Sequence, residues 1–90
     1  MLTIKQAIDT TLDLIEDALS DRMDTACLST YTLNETCDGY ALNSEMSLGS
    51  GRRFELIVNF SPVDNITNVI IEGKRLSPDQ FKEQLREVTW

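Results

Sequence analysis

The chain has 90 residues, two cysteines, no histidine and a formal net charge of −7 at pH 7. A single small domain with one modest core fits that length, and the 41 % share of apolar residues argues against general disorder. No apolar run reaches membrane-spanning length and none has the layout of a secretory signal, so a soluble cytoplasmic protein with no membrane partner is expected (host cytoplasm if the chain is phage-encoded).

The negative charge is one-sided. Residues 1–45 hold nine carboxylates against Lys5 and Arg22, whereas residues 46–90 hold six acids and six bases. Six of the first-half acids, Asp9, Asp13, Glu16, Asp17, Asp21 and Asp24, fall in the first predicted element. That element is an amphipathic helix from residue 3 to at least residue 19. Thr3 and Gln6 fit a capping box. Ile4, Ile8, Leu12, Ile15, Leu19, Met23 and Ala26 recur at steps of three and four, which predicts one apolar stripe. Ser20-Asp21 predicts a kink or the start of a second short helix.

Residues 28–33 are rich in Thr and Tyr and read as a short additional strand, with Asn34 to Gly39 as a loop. Tyr40, Leu42, Ser44 and Met46 then share one face of a strand that ends at the turn cluster Gly49-Ser50-Gly51. Phe54, Leu56, Val58 and Phe60 alternate along a half-buried strand stopped by Pro62. A third strand covers about 66–72, and Gly73 ends it. The last helix carries the strongest start signals, with Ser77 as N-cap, Pro78 at N1, Asp79 in the first turn and Gln80 at N3. Leu76 is positioned to staple to Phe81, and Phe81, Leu85 and Val88 form the buried stripe. The predicted fold class is therefore α+β. Its three-stranded antiparallel sheet, with a possible fourth short strand, is flanked by N-terminal and C-terminal amphipathic helices in the order α-β-β-β-α.

The residues offer little to catalysis. Histidine, the usual proton shuttle near neutral pH, is missing from the composition, and no Ser, Thr or Cys has a recognisable activating partner. A non-enzyme without a cofactor is expected. Cys27 and Cys37 read as free thiols, and two thiols without histidine do not close a zinc site. Carboxylates projecting from one helix diverge and lack the calcium-loop pattern, so no metal site is expected. Gly49-Ser50-Gly51-Arg52-Arg53 lacks the Lys and Ser/Thr of a phosphate loop and reads as a hairpin turn with solvated arginines. Asn34-Glu35-Thr36 and Asn65-Ile66-Thr67 match the glycosylation pattern by chance.

The acidic helix is the functional lead. Asp9, Asp13, Asp17 and Asp21 stand four apart, about 6 Å along a helix axis at 1.5 Å per residue. Six acids over fifteen steps give about one charge per 4 Å, close to the 3.4 Å spacing of phosphates along one strand of duplex DNA. This points to a larger protein with a basic, nucleic-acid-binding surface as the partner, with no direct contact to nucleic acid. Tyr31 and Tyr40 are the aromatic candidates beside Asp9, Asp13, Glu16, Asp17, Asp21 and Asp24. The α-β-β-β-α order is shared with double-stranded RNA-binding domains. Their second helix starts with a lysine-rich motif, whereas this one starts with Ser77-Pro78-Asp79-Gln80. In size, charge and lack of catalytic residues the chain resembles phage anti-defence inhibitors, anti-CRISPR proteins and DNA mimics among them. The alternatives are an immunity protein or antitoxin that neutralises a basic toxin, and a structural module that forms a homodimer through Val88 and Trp90.

Overall fold

The computed structural model describes residues 2–19, 26–49 and 51–87. Met23, Arg22, Asp21, Asp24, the proposed break at Ser20-Asp21, Ser50, Val88 and Trp90 lie outside the described residues. The architecture is α+β, with helix α1 (Ile4–Leu19), strands β1 (Ala26–Thr36), β2 (Gly39–Leu48), β3 (Arg53–Phe60), β4 (Ile66–Ile71) and β5 (Lys74–Leu76), and helix α2 (Pro78–Glu87). The strands form one antiparallel meander in the order β1-β2-β3-β4-β5.

Both capping boxes form as their residues predict. Thr3 and Gln6 exchange backbone-to-side-chain bonds of 2.9 and 3.2 Å, and Ser77 and Gln80 do the same at 3.0 and 3.2 Å. Each box satisfies two of the amide donors that a helix start leaves unpaired.

The sheet has five strands where three or four were expected. Strand β1 runs eleven residues, and the predicted loop from Asn34 to Gly39 shrinks to the two-residue turn Cys37-Asp38. Asn34 and Glu35 are poor strand formers, but pairing with Ala41 and Tyr40 holds them in the ladder. Beyond Gly73, where the third strand was expected to end, Lys74 and Arg75 belong to β5. The residues before them, Glu72 and Gly73, both take positive φ (52° and 79°), the conformation that closes a tight two-residue hairpin.

Alternation sorts the sheet into two faces. Leu42, Ser44, Met46 and Leu48 of β2 and Phe54, Leu56, Val58 and Phe60 of β3 are buried on one side. Val69, Ile71 and Leu76 continue that face. Both helices pack on it, α1 against β1, β2 and α2, and α2 against β4 and β5. Leu76 and Phe81 sit in the same core cluster, as the staple requires. Each fully buried large side chain contributes roughly 1.5–3 kcal/mol. The other face is mostly polar, and among the described residues no helix covers it. It carries Ser29, Thr32, Asn34 and Asn43, with an Asn59–Asn68 side-chain bond of 2.7 Å across β3 and β4.

The buried stripe of α1 is rotated from the predicted one. Ala7, Thr11, Ile15, Ala18 and Leu19 are buried, Ile8 and Leu12 are half-buried, and Ile4 is 44 % exposed. Ala26, placed on the helical stripe by its spacing, opens β1 instead. Small residues at positions 7, 11 and 18 allow close helix approach, so shape overrides the larger aliphatics. The rotation buries the Thr11 hydroxyl without a hydrogen-bond partner among the described residues. Burying an unpaired hydroxyl is costly, and an isosteric apolar replacement removes the cost. Thr11→Val is therefore expected to raise stability by about 1 kcal/mol in urea unfolding.

The turn after Cys37-Asp38 has no such slack. Gly39 has φ 139°, and a Cβ there would collide with the carbonyl oxygen of Phe60 on the neighbouring strand. Gly39→Ala should cost more than about 2 kcal/mol, read as a lowered unfolding midpoint.

Candidate functional site

Helical geometry places the acids opposite the buried stripe. At about 100° per residue, Asp9, Asp13, Glu16 and Asp17 gather on the side away from Ala7, Thr11, Ile15 and Ala18. All four are exposed. From Asp9 to Asp17 the rise is about 12 Å, so this described part of the ridge presents about one carboxylate per 4 Å. The whole of α1 contains a single basic residue, Lys5.

The ridge has a neighbour that the sequence does not reveal. The β3–β4 turn is closed by bonds from the Ser61 amide to the Asn65 carbonyl (2.7 Å) and from the Asp64 amide to the Ser61 carbonyl (3.0 Å). The Asn65 amide also donates to the Ser61 hydroxyl at 3.3 Å. This turn carries Asp64 to α1, where Thr10, Asp13, Leu14, Asp17, Asp64, Asn65 and Ile66 line a surface hollow of about 390 Å³. One Asp64 carboxylate oxygen is buried there without a hydrogen-bond partner among the described residues. No spacing in the chain brings residue 64 beside residues 13 and 17; only the packing of α1 on the sheet does so. Among the described residues, no three His, Cys, Asp or Glu side chains are arranged to hold a metal ion.

Relief of the negative charge comes from α2. Lys82 Nζ lies 3.4 Å from Asp17 Oδ2 and 3.7 Å from Asp79 Oδ1. Arg86 donates to the Asp17 backbone carbonyl at 3.5 Å. These contacts neutralise one end of the ridge. Among the described residues, Asp9, Asp13 and Glu16 have no ion-pair partner.

The tyrosines are placed apart from this hollow. Tyr31 stands in a bulge of the edge strand β1, 37 % exposed, and its hydroxyl donates to the Leu28 carbonyl at 2.8 Å. Tyr40, the second residue of β2, stands opposite Phe60 and is half-buried against the core. Neither lines the hollow beside α1. Asp21 and Asp24 lie outside the described residues.

The two arginines after the Gly-rich turn each face a carboxylate. Arg52 pairs with Glu72 at 2.8 Å and lies 5.9 Å from the centre of the Phe54 ring. Arg53 reaches Glu45 at 3.7 Å. With their charges so engaged, they do not form an open anion cradle. Glu45 and Glu55 are direct cross-strand partners on the uncovered face, a like-charge pair that Arg53 relieves. Cys27 and Cys37 are free and exposed, and among the described residues no helix is long and apolar enough to cross a membrane.

No known protein family, characterised protein or solved structure matches this chain. The geometry of the ridge and its charge therefore carry the functional reading.

The Lys82 contacts are largely exposed on the acid side and worth little to the fold. Lys82→Met keeps the apolar stem and removes the charge. The expected loss of stability is under about 1 kcal/mol in low salt and nearly nil at 0.5 M salt, measured by chemical denaturation.

Proposed function

We propose that this chain is a non-catalytic binding protein whose acidic α1 face occupies a basic surface of a larger protein, of the kind that binds nucleic acid. It would act as anti-CRISPR proteins and other phage DNA mimics do. The supporting observation is the outward ridge of Asp9, Asp13 and Glu16, exposed and without ion-pair partners among the described residues. Its charge spacing approaches that of a nucleic-acid strand. Asp64 adds a carboxylate beside the ridge and broadens it from a line to a patch.

Such a surface raises the encounter rate with a cationic partner and confers strong salt dependence. Final affinity requires desolvated contacts near the charges. The half-buried Leu14 and Ile66 at the hollow supply apolar surface there, a role that the placement of Tyr31 and Tyr40 away from the hollow leaves to them.

The test begins with capture of a partner from host lysate on the immobilised chain and its identification by mass spectrometry. Binding of the purified partner is then measured between 50 and 300 mM salt, with duplex DNA as competitor. Affinity should fall steeply with salt, and DNA should displace the chain. The triple variant Asp9→Lys, Asp13→Lys, Glu16→Lys should bind at least about 10-fold more weakly, with a flatter salt dependence. Unchanged affinity and salt slope in that variant would refute the proposal.

A further inference from the structure

The two edges of the sheet are defended very differently. Strand β5 is three residues long and carries Lys74 and Arg75, and shortness and positive charge both discourage a further strand from pairing. Strand β1 has eleven residues, no proline and one charged residue, Glu35. Among the described residues it pairs only with β2 and nothing pairs with its outer edge. Near the bulge the chain engages its own edge carbonyls, with Tyr31 donating to Leu28 and Thr30 donating to Ser29 at 2.7 Å. From Thr32 to Thr36 no side chain among the described residues bonds to the backbone. This segment is regular after the bulge and extends about 17 Å at 3.4 Å per residue.

We infer that Thr32–Thr36 is a self-association edge, where a second copy of this chain adds its β1 antiparallel to form a continuous ten-stranded sheet. The segment Thr32-Leu33-Asn34-Glu35-Thr36 is complementary to itself in that register. With the two-fold axis at Asn34, each Thr32 stands opposite Thr36 of the other copy, Asn34 faces Asn34, and Leu33 faces Glu35. Thr32, Asn34 and Thr36 alternate with the core-packed Leu33 and lie exposed on the uncovered face. Cross-strand Thr–Thr pairs and opposed amides form favourable hydrogen bonds. The lone carboxylate avoids its copy, so no like charges stand directly opposite. A second copy therefore satisfies the edge's backbone groups and its side-chain pairing together.

Five paired residues bury less surface than a permanent dimer needs, so association should be weak and concentration-dependent. Two copies of net charge −7 also repel, and salt screens that repulsion. Dimerisation should thus strengthen with salt, opposite to binding of a cationic partner. The inference is independent of the acidic-face reading, and the signs of the two salt responses distinguish failure of one from failure of the other.

Analytical ultracentrifugation from about 10 µM to 1 mM, in 50 and 300 mM salt, provides the test. The wild-type chain should shift from monomer to dimer over this range, at lower concentration in the higher salt. Thr32→Asp/Thr36→Asp sets two like-charge pairs across the axis and should raise the dimer dissociation constant at least 10-fold. Thr32→Lys/Thr36→Asp places opposite charges in the same positions and should restore association. Circular dichroism and thermal unfolding confirm that the exposed substitutions leave the fold intact. A wild-type chain that stays monomeric at 1 mM in 300 mM salt overturns the inference. So does a dimer that the double-aspartate variant leaves unweakened, because association then uses another surface.

Discussion

Everything in this molecule hangs on the sheet being far more apolar on one side than on the other. Leu42 and Met46 of β2 and Leu56 and Val58 of β3 project to the same face and are fully buried, because side chains alternate along a strand. The opposite face offers mainly Asn, Thr, Glu and Ser beside Ala41, Ile57 and Ile70, and among the described residues no helix packs on it. Both amphipathic helices must therefore share one layer. Once α1 settles with Ala7, Thr11, Ile15 and Ala18 inward, its carboxylates have no direction left but outward. The acidic ridge is thus a consequence of core packing as much as of charge placement.

That packing also explains how so charged a helix persists. Like charges four residues apart disfavour a helix by a few tenths of a kcal/mol per pair. A single buried isoleucine such as Ile15 contributes roughly 1.5–3 kcal/mol, which outweighs several such pairs. The capping box at Thr3 and Gln6 adds to the margin, and Lys82 shields Asp17 from across the helix interface. The ridge is tolerated by the fold and does not stabilise it.

Much of the fold was legible because several local signals agreed. At the last helix, Ser77, Pro78, Asp79 and Gln80 each favour the same start by a different mechanism. In β2 and β3 the alternation is clean enough to assign the inward residues correctly. Other features depended on interactions distant in sequence. The second half of β1 holds together through its ladder with β2, so Asn34 and Glu35 read as loop by propensity. Strand β5 is only as long as its pairing with β4 allows. The stripe of α1 was misread because aliphatic spacing favoured Ile4, whereas close approach to the sheet and α2 favoured alanine and threonine. Of the candidate site, Asp9, Asp13, Glu16 and Asp17 were legible from helical periodicity, but Asp64 was not. Its place beside α1 comes from the β3–β4 turn, whose geometry carries no mark of what lies next to it.

Charge is distributed unevenly over the described surface. The ridge concentrates carboxylates, whereas the edge segment Thr32–Thr36 carries one, and three of the six basic residues of the second half are matched with acids at Arg52–Glu72, Arg53–Glu45 and Lys82–Asp79. A protein that bore this net charge merely for solubility would gain most from spreading it, since dispersed like charges repel less within the molecule and still repel between molecules. Here the first half holds the whole excess while the second half sums to zero. Asp9, Asp13, Glu16 and Asp17 gather on one side of α1, which raises intramolecular repulsion and sharpens the local field there. Recognition of a cationic surface, as proposed, would gain from that local field.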